Sequence, residues 1–254
     1  MGVSVFNCVS NALDMLKFSS ENLLGTAGHP LDYIVVHWNS GHEVLCYLQY
    51  LQDQHAYPKS GSKIHLVPYT TDDTIGFVPN LRKMINHGFD EGFKLNDYCG
   101  LVNTDQAFAP GWLANMVPHL DPDKLIIARM VESGRMPSSH ETHDFGDTTH
   151  EAFKLEDFVR WAGDNGKSTT TAISRGIGMP YFLHSRQWDR HGPWDCIAST
   201  EGTGAPDQRF FWSMRDAGVP WIRVENAITY HVGAVERTKP NNIAFEQLPY
   251  EGLA

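Results

Sequence analysis

The stretch Asp97-Tyr98-Cys99-Gly100-Leu101-Val102-Asn103-Thr104-Asp105-Gln106-Ala107-Phe108, running on into Pro110-Gly111-Trp112-Leu113, constrains this chain more than any other. Tyr98, Leu101 and Val102 make the continuous apolar run of a strand covered on both faces. The run ends in a polar, acidic tip and then passes to a helix. Pro110 suits the first helical turn, where its missing N–H costs nothing. Asp105 reads in two ways at this position. It is an ordinary turn or cap residue, or a carboxylate turned to a ligand, since open α/β sheets bind ligands beyond the carboxyl ends of their strands.

The flanking pattern repeats this unit. Residues 31–37 form an apolar strand that ends at Trp38-Asn39-Ser40-Gly41. Ser40-x-x-Glu43 then reads as a capping box for a helix with Val44, Leu45, Leu48 and Leu51 on one stripe. Residues 63–69 predict a second strand, closed by Thr70-Thr71-Asp72-Asp73-Thr74. Leu81, Met84 and Ile85 mark another helix, expected to stop near Asn86-His87-Gly88, where glycine supplies a C-terminal cap. A strand follows at 125–131. Residues 133–150 turn polar and read as a surface loop, after which Thr148-x-x-Glu151 is expected to cap a helix carrying Leu155, Phe158, Val159 and Ala162. Residues 179–184 predict a strand and 188–204 a glycine- and tryptophan-rich connection. Pro206 opens a helix with Phe210, Phe211, Met214 and Ala217 on one face, and 221–230 is the last strand, leading to His231. Alternating β and α elements imply an α/β fold with a mixed, mostly parallel sheet flanked by helices. With 254 residues, one domain spanning 1–254 is the expectation, with 1–30 as an N-terminal extension, 133–200 shaping the acceptor side and 237–254 as a tail.

Composition narrows the classes of function. The net charge of −10 argues against a broad nucleic-acid footprint, which needs a basic face. No apolar run approaches the roughly 18 residues of a membrane span, so no membrane anchor is expected. The N-terminus lacks the basic and apolar segments of a secretory signal. The four cysteines, Cys8, Cys46, Cys99 and Cys196, lack paired spacing and fit a reducing, cytoplasmic setting.

The order of these motifs resembles the GT-A glycosyltransferases, most closely the family 2 group that uses nucleotide-sugars. The matching features run from about residue 31 to 233. They are the polar tip of the first strand, Asp73 after the second and Asn86-x-Gly88 before the third. Asn103-Thr104-Asp105 stands at the Asp-x-Asp motif, Gly202-Thr203-Gly204-Ala205-Pro206-Asp207 opens the late helix, and His231 comes last. The resemblance implies a single Rossmann-like GT-A domain transferring a hexosyl or pentosyl group from a nucleotide-sugar, UDP-linked by preference, to an acceptor hydroxyl. It implies Asp105 and His231 as ligands of Mn²⁺ or Mg²⁺, and Asp207 as the base of an inverting reaction. Trp38, Asn39, Asp73, Asn86, Asn103 and Thr104 fall to the nucleotide side. Asn103 departs from the family by replacing an acid with an amide, which carries no charge to a metal.

Composition leaves the acceptor open among a saccharide, a protein, a small molecule and a modified nucleobase. Trp188, Trp194 and Trp212 are candidates for stacking on sugar faces, and also for core filling. Two rival readings stand beside the transferase. One is a nucleotide- or sugar-binding module of the same fold without chemistry. The other is a metal-dependent hydrolase using His140-x-x-His143, Glu141, Asp144 and His150, although that spacing lacks the His-Glu-x-x-His helix pattern.

Overall fold

The computed structural model describes residues 1–9, 12–38, 40–53, 61–70, 77–134, 140–146, 151–194 and 206–232, with the backbone alone for 77–79 and 206–208. Its first half is a run of parallel units: β1 (Ser4–Val9), α1 (Leu13–Thr26), β2 (Asp32–His37), α2 (His42–Asp53), β3 (Lys63–Pro68), α3 (Phe77–Leu95) and β4 (Tyr98–Leu101). These strands lie side by side in the order β3-β2-β1-β4, all parallel. Residues 1–30 are therefore no extension, because β1 sits inside the sheet and pairs with β2 on one side and β4 on the other. The alternation of Val3, Val5 and Val9 against Phe6 already carried that strand, since each set is buried on a different face.

The second half holds β5 (Gln106–Phe108), α4 (Trp112–Met116), β6 (Leu125–Glu132), β7 (Glu141–Thr142), α5 (Leu155–Asn165), β8 (Thr170–Ile173), β9 (Tyr181–His184), α6 (Ser185–His191), α7 (Pro206–Asp216) and β10 (Trp221–His231). Strand β9 enters antiparallel between β4 and β6, and β6 runs parallel to β10. The sheet is thus mixed, with β1, β2, β3, β4, β6 and β10 all ending on one edge. The outer side of β10 is shared by two short antiparallel partners. Strand β8 covers Trp221 to Val224 and β5 covers Thr229 to His231. Between them the register against β6 jumps from Val224 to Ile228.

Helices cover both faces. Helices α1 and α2 lay Leu16, Leu23 and Leu48 on Val5, Tyr33 and Val35. On the other face Phe89 of α3, Trp188 of α6, and Phe210 and Phe211 of α7 pack with Phe6, Ile34 and Val36. A third cluster seats Phe158 of α5 against Phe145, Phe153 and Tyr230.

Three local expectations are corrected. Helix α2 starts at His42, and the Ser40 hydroxyl donates back to the Trp38 carbonyl rather than forming the expected capping box. Helix α5 starts only at Leu155, with Lys154 in the cap position, and Thr148 lies outside the described residues. Helix α3 does not stop at Gly88 but continues to Leu95. Gly88 and Gly92, one turn apart, let this helix approach the sheet. A Cβ on Gly88 would lie 2.2 Å from the Phe6 ring, and one on Gly92 2.2 Å from Cys99 Sγ. Glycine here serves close packing, not termination.

That reading separates two substitutions of the same kind. Gly88→Ala gains about 1 kcal/mol of helix propensity but overpacks a rigid ring, a cost of about 1–3 kcal/mol, so net destabilisation is expected. Gly163→Ala in α5 meets nothing within 4 Å and should gain about 0.5–1 kcal/mol. Denaturant midpoints of the two variants check the contrast, which fails if both shift the same way.

Candidate active site

The edge where six strands end carries a line of three side chains. Strand register brings two of them together, because His231, the last residue of β10, pairs directly with Glu132, the last residue of β6. Partners across neighbouring strands present their side chains on the same face. On its other side His231 pairs with Gln106, so Asp105, one residue earlier, stands at the same end. The Val232 amide donates to the Asp105 carbonyl at 2.8 Å and fastens this corner. The result is His231 Nε2 at 3.0 Å from Asp105 Oδ2 and His231 Nδ1 at 3.0 Å from Glu132 Oε1. The three side chains are 8%, 21% and 12% exposed for His231, Asp105 and Glu132. Residues 126 positions apart in the chain are therefore in contact.

Gln106 shapes the turn before this site. It is fully buried, and its Oε1 accepts from the Asn103 amide at 2.9 Å while its Nε2 donates to the Met179 carbonyl at 3.0 Å. The Thr229 hydroxyl donates to the same carbonyl at 2.6 Å. The Ser19 hydroxyl donates to the Asn103 carbonyl from α1. Asn103 and Thr104 thus lie half-buried on a pinned turn beside Asp105.

The donor set fits a hard divalent cation. An oxygen and an imidazole nitrogen suit Mn²⁺, and carboxylate sites suit Mg²⁺ as well. Two adjacent ligands of an octahedral ion, each about 2.1 Å from it, stand about 3.0 Å apart, which is the Asp105 to His231 separation. Among the described residues no group of three or more His, Cys, Asp or Glu is arranged to hold a metal ion by itself. Two protein ligands are typical where substrate phosphates and water complete the shell. Sequence reasoning named Asp105 and His231 but missed Glu132, which no local pattern marks.

The other expected residues are placed as follows. Trp38 is half-buried and packs on the core beneath α3. Asn86 anchors a loop: its Nδ2 donates to the Trp194 carbonyl at 3.0 Å and its Oδ1 accepts from the Trp194 amide at 2.9 Å. Asn39, Asp73 and the side chain of Asp207 lie outside the described residues, as do His150, Cys196 and Gly202 to Ala205. Helix α7 does begin at Pro206 as expected. Trp188 and Trp194 are core residues, and the indole of Trp188 donates to Asp90. Trp212 is exposed.

The histidine-rich loop divides between two surroundings. His143 packs at tilted angles against Phe145 and Trp161, at ring distances of 4.3 and 5.3 Å. His140 instead lies within electrostatic reach of Glu132 and His231, and burial holds its imidazole below the ordinary value. Burial likewise lowers His37 at the end of β2 and raises the thiols of Cys8 and Cys99, which leaves both thiols protonated at neutral pH.

No family model and no curated protein matches the sequence. Solved structures do match its fold. GalNAc-T7 with UDP, GalNAc and Mn²⁺ is similar at a TM-score of 0.56 and 13% identity, over 91% of this chain and 43% of that one. The mannosyltransferase PcManGT of Pyrobaculum calidifontis, in complex with GDP-Man and Mn²⁺, follows at 0.55 and 14%, over 91% and 56%. TarS of S. aureus is similar at 0.54 and 12%, over 91% and 36%. The chain spans about half the length of these proteins or less. No helix among the described residues is long and apolar enough to cross a membrane. The mixed α/β sheet, its helical layers and these likenesses give the chain the GT-A fold.

Proposed function

We propose that this protein is a nucleotide-sugar-dependent glycosyltransferase, assisted by Mn²⁺ or Mg²⁺, with Asp105 and His231 as the metal's protein ligands. The observation that carries the reading is the 3.0 Å approach of Asp105 and His231 at the carboxyl edge of the sheet. Two residues that the resemblance in sequence pairs as metal ligands meet in space. The likeness to proteins holding UDP or GDP-Man with Mn²⁺ adds to it. We favour a UDP-sugar, with GDP-sugars as the comparison. Free thiols at Cys8, Cys46 and Cys99 support a cytoplasmic setting.

The metal would supply neutralisation of charge on the departing diphosphate. The chain's own groups do the rest. Asn103 and Thr104, on the turn held by Gln106, are assigned to the nucleotide side. Asp207, in the first turn of α7, takes the proton of the acceptor hydroxyl. The acceptor oxygen then bonds to the anomeric carbon as the bond from that carbon to the phosphate oxygen breaks, inverting the centre. The tips of β1, β2 and β3 share this edge, which is where open α/β sheets receive nucleotides.

Release of nucleoside diphosphate from a panel of UDP- and GDP-sugars, with Mn²⁺ or with chelator, tests the reading. Mn²⁺-dependent release from one donor is expected. Nucleotide binding with no release from any donor would instead identify a binding module, a reading that Asn103 in place of an acid keeps in view.

A further inference from the structure

We infer that Glu132 is the positioning residue of His231: it holds Nδ1–H of the imidazole and so keeps Nε2 as the nitrogen offered, beside Asp105, to a cation. The inference rests on the metal-site reading above. Three observations carry it. Glu132 and His231 are direct register partners at the ends of adjacent parallel strands, so their relation is built into the sheet rather than into a loop. Oε1 of Glu132 stands 3.0 Å from Nδ1, on the ring nitrogen opposite the one facing Asp105. Both side chains are largely buried, which removes water as a competing acceptor for that N–H.

An imidazole carries one lone pair and one N–H when neutral, and the partner of one nitrogen decides which nitrogen offers the lone pair. Without Glu132 the ring can present Nε2–H to Asp105, an arrangement that satisfies the carboxylate but leaves no lone pair for a cation. When a cation takes the Asp105 side, Glu132 retains the proton at Nδ1 and leaves the Nε2 lone pair and a carboxylate oxygen to the ion together. The carboxylate also raises the ring's basicity as a ligand. The backbone carbonyl of Glu132 accepts from the His143 amide at 2.8 Å, which anchors the residue from the β7 side. Glu132 therefore acts through His231.

The test uses the full chain and the isosteric substitution Glu132→Gln, with His231→Gln as reference. Titration with Mn²⁺ alone, read by electron paramagnetic resonance of the free ion, should show a 10- to 100-fold weaker affinity for Glu132→Gln, the range typical of outer-shell partners. ¹⁵N NMR of the Mg²⁺-loaded protein should show His231 protonated at Nδ1 alone in the wild type and a mixture of tautomers in Glu132→Gln. A purely structural role would move the melting temperature and leave the tautomer as it was. Wild-type Mn²⁺ affinity and tautomer in Glu132→Gln, with affinity lost in His231→Gln, would overturn the role of Glu132 while keeping the metal site. Absence of Mn²⁺ binding in the wild type, both alone and with UDP or GDP present, would overturn the metal-site reading and this inference with it.

Discussion

Exchanging Asp207 for Asn is expected to lower sugar transfer by about 10²- to 10⁴-fold, the usual contribution of a positioned general base. Nucleoside diphosphate affinity should stay as in the wild type, because the substitution leaves Asp105, His231 and the Asn103 turn untouched. The amide keeps the size of the carboxyl, and the charge–dipole contribution that it forfeits in the first turn of α7 is only about 0.3–1 kcal/mol, so the melting temperature serves as the control. What Asn cannot do is take a proton. The position has a cost for catalysis too, since the helix dipole favours the ionised carboxylate and weakens it as a base. The proton must then pass in the transition state, as the new bond to the anomeric carbon forms. Full transfer activity in Asp207→Asn would remove this residue as the base.

Replacing His231 with Gln should weaken Mn²⁺-dependent nucleotide binding by more than about 100-fold, beyond the range for outer-shell partners. Gln is preferable to Ala at this site. Ala would leave Asp105 and Glu132 facing each other without the ring between them, and an unpaired buried polar group costs about 1–3 kcal/mol. With Gln the fold is retained, so the loss reads on the ligand rather than on stability. Metal-independent binding should be unchanged between variant and wild type. Equal Mn²⁺-dependent affinities, measured by calorimetry, would sink the assignment of His231.

An acid at the end of an apolar strand left Asp105 open between a turn and a ligand role, and its pairing with His231 came from the resemblance in motif order; the structure brings the two to one corner. Glu132 also closes a strand, but no motif of the resemblance falls on it, and it is one of 30 Asp and Glu residues. Its role comes from register with a strand 99 residues later. Gly88 shows a different limit. The same residue ends helices by its free backbone and permits close packing by its missing side chain, and only the Phe6 ring tells the two apart. The short strand β9 and helix α6 lie in a stretch whose tryptophans suggested ligand contacts. Their burial follows from an antiparallel insertion between β4 and β6 that local pattern does not encode. Asn86 was read toward the nucleotide, yet its carboxamide holds the Trp194 backbone across 108 residues.

Calorimetric titration of the wild-type chain with UDP and with GDP, each in Mn²⁺ and in chelator, is the most direct test of a metal-assisted nucleotide-sugar site at Asp105 and His231. Tight binding of one nucleotide in Mn²⁺, lost in chelator, is the expected result. Binding of neither nucleotide under any condition would contradict the proposed function, and equal binding with and without Mn²⁺ would contradict the metal's place in it.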